Sequence, residues 1–146
     1  KSYRLIGYEN KVLPADSTIR KEYAGGVIGS GHCAVAMYEI VPTGISDDTA
    51  TLAEINLAYR LPTDTNVYAI SSKVAADLKP FASSSDDHRF AAAVAIFGMS
   101  LRNSSYLKEG DISMAQHIAE KAQGSDPEGY RQEFLKLLKL MSKRKR

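Results

Sequence analysis

His32 and Cys33 are adjacent, and a base beside a thiol is the raw material of a nucleophilic site. Adjacency works against that use. Neighbours on an extended chain point to opposite faces, so the imidazole cannot take the proton of the next side chain. The sequence therefore reads Cys33 as a small buried apolar residue and His32 as the boundary between a loop and a strand. The segment just before it, Gly25-Gly26-Val27-Ile28-Gly29-Ser30-Gly31, has the composition of a phosphate loop. It lacks the Gly-Lys-Ser/Thr ending, and a strand rather than a helix follows, so no row of free helix amides is available to hold phosphate. A flexible loop or bulge is the expected role.

A second group of chemistry-bearing types is Asp86, Asp87, His88 and Arg89, with His117 further on. Histidine with carboxylates can ligate a metal. Acids at a helix start are already accounted for by capping and by the helix dipole, and Arg89 is expected to pair with an acid of the strands. Glu39 and Glu54 fall on separate predicted strands, and no spacing joins them as the paired acids of a hydrolase. The reading assigns no catalytic residue, no cofactor site and no metal site. Its rival is a hydrolase using His32 or His88 with a carboxylate, which requires a concave pocket and an orienting acid within hydrogen-bond reach.

Tyrosine is the abundant aromatic: eight Tyr and no Trp. Tyr3, Tyr8, Tyr38, Tyr59 and Tyr68 all fall on predicted strands, where a half-buried ring with a wet hydroxyl is the ordinary outcome. Tyr3, Tyr8, Tyr59 and Tyr68 are the candidates for an interaction surface, because tyrosine offers both apolar area and a hydrogen-bonding tip.

The elements that carry these residues divide into strands first and helices last. Tyr3–Tyr8 reads as a strand, followed by a long connection from about Pro14 to Gly31. His32–Val41 is apolar on both sides, the pattern of a central strand covered on two faces, and Pro42 stops it. Leu52–Leu61 alternates strictly, as an antiparallel strand with one wet face does. Pro62–Thr65 makes the turn, and Val67–Ile70 returns as its partner. Phe90, Val94, Phe97 and Leu101 then recur at helical spacing over residues 87–102, with Ser84 as the expected cap. Ala91, Ala92, Ala93, Ala95 and Gly98 make this helix nearly apolar all round, so it is expected to be buried as the keel of the core. A second helix is predicted over 112–123, with Asp111 as N-cap and Gly124 at its end. A third starts from Asp126 and Pro127 and carries Tyr130, Phe134, Leu137, Leu138 and Met141. The expected fold is one α+β domain. An antiparallel sheet of about four strands within residues 1–82 packs with about three helices within 83–146.

Length and charge bound the function classes. A chain of 146 residues holds one sizeable core. With 44% apolar and 25% charged residues, it has the profile of a globular protein, and no run of about 20 apolar residues spans a bilayer. The net charge is +2, but Lys136, Lys139, Lys143, Arg144, Lys145 and Arg146 hold six of the 19 basic groups. Residues 1–135 thus carry 13 basic groups against 17 acidic ones. Positive charge gathered at one helix end, rather than over a folded face, is a solvated tail and not a nucleic-acid surface. A single cysteine excludes a disulfide framework. The chain opens on Lys1 rather than Met, so a preceding segment is expected.

Five strings in order carry a resemblance that runs through nearly the whole chain. They are Tyr3-Arg4-Leu5-Ile6-Gly7-Tyr8-Glu9-Asn10; Gly29-Ser30-Gly31-His32 running into Ala36-Met37-Tyr38-Glu39-Ile40-Val41-Pro42; Ala58-Tyr59-Arg60-Leu61-Pro62; Arg89-Phe90-Ala91-Ala92-Ala93-Val94-Ala95-Ile96-Phe97-Gly98-Met99; and Asp126-Pro127-Glu128-Gly129-Tyr130-Arg131-Gln132-Glu133-Phe134. Together they resemble the C-terminal domain of unknown function found in bacterial von Willebrand factor type A proteins. The resemblance implies a parent with a signal sequence, often a lipoprotein anchor, an upstream type A domain, and a place in the cell envelope, in the periplasm or at the surface. The Asp-x-Ser-x-Ser metal motif of type A domains is absent here, so no metal site carries over, and no catalytic residue is implied. The implied role is a non-catalytic accessory domain binding other proteins, including its own type A domain. A thin sheet also leaves an edge at which two copies can pair into a homodimer.

Overall fold

The computed structural model describes residues 2–7, 26–42, 50–107 and 111–144. Its elements in chain order are strands β1 (Ser2–Ile6), β2 (Met37–Val41), β3 (Thr51–Tyr59) and β4 (Tyr68–Ala75), a 3-10 turn (Phe81–Ser83), and helices α1 (Asp86–Leu101), α2 (Ile112–Glu120) and α3 (Tyr130–Arg144). The class is α+β, with strands preceding helices. The chain divides into two compact units, Lys1–Leu78 and Lys79–Arg146.

In the first unit the strands form two antiparallel ladders, β1 with β2 and β3 with β4, rather than one four-stranded sheet. In the first ladder Tyr3 faces Ile40, Arg4 faces Glu39 and Leu5 faces Tyr38. The Arg4 guanidinium donates to the Glu39 carboxylate at 2.5 Å, which fixes that register by charge. The strand expected from His32 starts only at Met37. Gly29-Ser30-Gly31-His32 is a tight turn instead, closed by the His32 amide on the Gly29 carbonyl at 3.1 Å. Gly31 supplies the left-handed φ of 76° that this turn needs. Residues 32–36 have no strand pairing. Cys33 is exposed, not buried, and Val35 is 69% exposed. Apolar residues on both sides of this segment do not make it a central strand: among the described residues β2 is paired on one side, with β1.

The β3–β4 hairpin agrees closely with its alternating pattern. Leu61 and Asp64 close the predicted turn with a 3.1 Å backbone bond, and β4 runs on to Ala75, five residues past the expected end. The ladder aligns Ile55 with Ser72, Leu57 with Ile70 and Tyr59 with Tyr68, and a bulge sits between Thr51 and Ala53.

In the second unit α1 is capped by Ser85, whose hydroxyl accepts from the His88 amide at 3.2 Å. Ser84, the expected cap, instead donates to the Phe81 carbonyl in the 3-10 turn. At the other end Asn103 takes φ 51°, and the Ser104 amide returns to the Met99 carbonyl at 3.0 Å. This left-handed C-terminal closure satisfies a carbonyl the helix leaves open. Asp111 caps α2 by accepting from the Met114 amide at 2.8 Å. The α2 helix stops at Glu120, and Gly124 adopts the left-handed conformation (φ 51°) three residues after the C-cap Lys121. The third helix starts at Tyr130, not at Pro127. Gly129 holds φ 74°, which interrupts the helical run, and the Asp126 carboxylate reaches forward to the Gln132 amide at 3.0 Å.

The core of this unit is Ala93 and Phe97 of α1, Ile112, Ala115 and Ala119 of α2, and Leu135 and Leu138 of α3. Phe134 stands edge-on to both Phe90 and Phe97, with ring centres 5.5 and 5.4 Å away. Helix α1 is not buried all round. Ala93 and Phe97 are its buried residues, while Val94 and Leu101 are 44% and 51% exposed. Two partner helices cover one stripe of a cylinder and leave the rest half-covered.

Candidate interaction surface

Period-two alternation in a paired ribbon separates two chemistries onto two faces. On one face of β3–β4 stand Ala53, Ile55, Leu57 and Tyr59 with Val74, Ser72, Ile70 and Tyr68 opposite them. On the other stand Glu54 opposite Lys73, Asn56 opposite Ser71, and Ala58 opposite Ala69. The Ser71 hydroxyl donates to Glu54 at 3.0 Å across that polar face.

The apolar face is open. Ile55, Leu57 and Ile70 are 58%, 56% and 54% exposed. At the turn end the rings of Tyr59 and Tyr68 stack, with centres 5.5 Å apart and planes 25° from parallel. The Tyr68 hydroxyl donates to Asp64 at 2.5 Å, and the Asn66 amide donates to the same carboxylate at 2.8 Å. These bonds favour the ionised acid. The Tyr68 hydroxyl, first, and the Asn66 amide hold Asp64 below its ordinary 3.8, and the same carboxylate holds the Tyr68 phenol above 10.0. The turn thereby fixes the orientation of the tyrosine pair.

Of the tyrosines singled out from the sequence, Tyr59 and Tyr68 come together here. Tyr3 lies in the other ladder, 76% exposed opposite Ile40, and Tyr8 lies outside the described residues. The aliphatic members Ile55, Leu57 and Ile70 went unremarked as surface residues. Their alternation was visible, but in a thicker sheet the same pattern points inward.

The histidines are dispersed. His32 is exposed in the glycine turn, and His117 is exposed on α2. His88 is exposed on the first turn of α1 with Phe81 edge-on at 6.3 Å. The acids near His88 are engaged: Asp86 pairs with Arg89 within α1, and Asp87 pairs with Arg131 of α3. Arg89 therefore finds its acid in its own helix and not on a strand. Among the described residues no three His, Cys, Asp or Glu side chains gather as a metal shell would. The recess on the helical unit lined by Ser113, Gln116, Ser142 and Lys143 is shallow, open and without a histidine. No helix among the described residues is long and apolar enough to cross a membrane.

Comparison with known proteins gives one consistent answer. The family described as the C-terminal region of the uncharacterized protein YfbK matches residues 1–143. The uncharacterized protein YfbK of Escherichia coli (strain K12) is 31% identical over 155 residues. That alignment covers 94% of this chain and 26% of the relative, so the chain spans about a quarter of the curated protein it matches. No solved structure matches.

Proposed function

This chain belongs to the YfbK C-terminal family, and from that premise we propose that it is a non-catalytic accessory domain that binds protein through the apolar face of β3–β4. The carrying observation is that Ile55, Leu57 and Ile70 stand more than half exposed on a ribbon that has two strands among the described residues. A two-stranded ribbon is marginal by itself in water and needs a further strand or a packed helix. Covering the exposed half of one such aliphatic side chain contributes about 1 kcal/mol, roughly half the value of full burial, so the three together favour a cover. Tyr59 and Tyr68, oriented by Asp64, are the aromatic anchors at the end of that face.

The occupant in this reading is the remainder of the parent protein. A chain spanning 26% of its relative leaves most of that protein to supply the cover. The resemblance to von Willebrand factor type A proteins of the bacterial cell envelope makes a type A domain and its flanking strands the natural source. The parent then completes the single sheet expected from the sequence. Homodimerisation by pairing of free ribbon edges is the competing occupant.

Hydrogen exchange on the full-length parent and on this chain alone tests the proposal. Slower exchange of the β4 amides in the parent, returned to the isolated rate by Leu57→Asp, is the expected result. Equal exchange in both overturns the reading. Concentration-dependent protection in the isolated chain replaces the parent with a second copy.

A further inference from the structure

Helix α3 carries a second apolar stripe, exposed and bordering its core face, and it has heptad spacing. Its inward face is made by Phe134, Leu135, Leu138 and Met141. Along the second stripe Tyr130, Leu137 and Leu140 are 71%, 44% and 65% exposed. Taking Tyr130 as position a, Leu137 is the next a, and Glu133 and Leu140 are the d positions. The g positions are then Lys136 and Lys143, both exposed. The e positions, Phe134 and Met141, are committed to the core. Lys139 is drawn to the α2 side, 3.7 Å from Glu120, whereas exposed Lys136 and Lys143 border the seam, and Lys143 also lines the recess it shares with Ser113 and Gln116 of α2.

We propose that this face of α3 receives an amphipathic helix of another protein, apolar along its seam and acidic along its flank. Charge selects the occupant. A second copy of α3 running antiparallel would set g lysine against g lysine. A parallel copy would aim those lysines at Phe134 and Met141, which have no acid to offer. Glutamate or aspartate on the incoming helix matches both lysines. Glu133 breaks the apolar run between Tyr130 and Leu137, which calls for a cationic residue opposite it and fixes the direction and register of the incoming helix. This inference stands on α3 alone and is independent of the proposal for the strands.

The test uses the whole chain and two designed leucine-heptad peptides of equal length, one with glutamate and one with lysine at every flanking position. Like charges keep each peptide from pairing with itself. In fluorescence anisotropy the glutamate peptide is expected to bind and the lysine peptide to fail. Leu140→Asp should weaken binding by about tenfold or more, as loss of a central anchor does. The double substitution K136E/K143E should abolish binding of the glutamate peptide and confer binding of the lysine peptide. All three residues are exposed, and far-ultraviolet circular dichroism of each variant verifies the fold. Binding of neither peptide, or binding of the glutamate peptide that ignores Leu140→Asp, overturns the proposal. Sedimentation with phosphatidylglycerol vesicles that depends on the same residues also overturns it, in favour of a lipid surface.

Discussion

Arg131, in the first turn of α3, bonds Asp87, in the first turn of α1, across 44 residues of chain. The same guanidinium donates to the Ala122 and Gln123 carbonyls beyond α2, at 3.3 and 3.0 Å, and lies 4.9 Å over the Phe90 ring. One planar fork thus ties all three helices at a single corner, which a lysine ammonium cannot reproduce.

Replacement of Arg131 by Ala is expected to destabilise the helical unit by about 2–3 kcal/mol, since two carbonyls, an acid and a ring lose their partner together. Arg131→Lys should recover only a minor part. Asp87→Ala should cost at most about 1 kcal/mol, because that carboxylate is 82% exposed. Urea unfolding followed by helical circular dichroism measures all three, and an Asp87→Ala cost equal to that of Arg131→Ala would disprove the clasp.

Gly124 and Gly129 both hold left-handed backbone, yet alanine should be tolerated differently. At Gly124 a new Cβ would come within 3.0 Å of the Arg131 guanidinium and 3.3 Å of the Asp86 Cβ, whereas nothing lies within 4 Å of one at Gly129. Gly129→Ala is expected to cost the backbone penalty alone, about 1–2 kcal/mol. Gly124→Ala should cost more, because it also displaces Arg131. Thermal unfolding of the two variants ranks them.

Leu138 is fully buried at the centre of the helical core. Its replacement by Ala should destabilise the unit by about 2–5 kcal/mol. Exposed Leu140, two residues on, should tolerate Ala at well under 1 kcal/mol if the α3 seam is vacant in the isolated chain. Denaturant midpoints of the paired variants decide this.

Asp64 should titrate below its ordinary value, and Tyr68→Phe should bring it back up towards 3.8, because the hydroxyl is the larger cause of the shift. The sign follows from which form is favoured. The Tyr68–Asp64 bond stabilises the folded turn above the ordinary carboxylate range and is lost as pH falls through the lowered Asp64 value. At the alkaline end it is lost as pH rises through the raised Tyr68 value. Carboxyl carbon shifts in an NMR titration report both effects, and an unchanged Asp64 midpoint in Tyr68→Phe would refute this account of the turn.

Local rules in the chain determined a good part of this molecule. Strict alternation made β3, periodic apolar residues made α1 and the core stripes of α2 and α3, and Asp111 capped α2 as its type and place dictate. These outcomes depend on neighbours within a few residues, so a linear reading reaches them. Tertiary structure decided the rest. Which strand pairs with which depends on contacts across long connections, and two ladders in place of one sheet turned Ile55, Leu57 and Ile70 from expected core into surface. The same alternation serves both outcomes, because period two says that one face is apolar and says nothing of what covers it. Cys33 and the half-covered flank of α1 went the same way: composition records a preference for burial, while burial itself requires a partner in space. The Arg131 clasp was invisible for a related reason, since its partners come together only once three helices have packed.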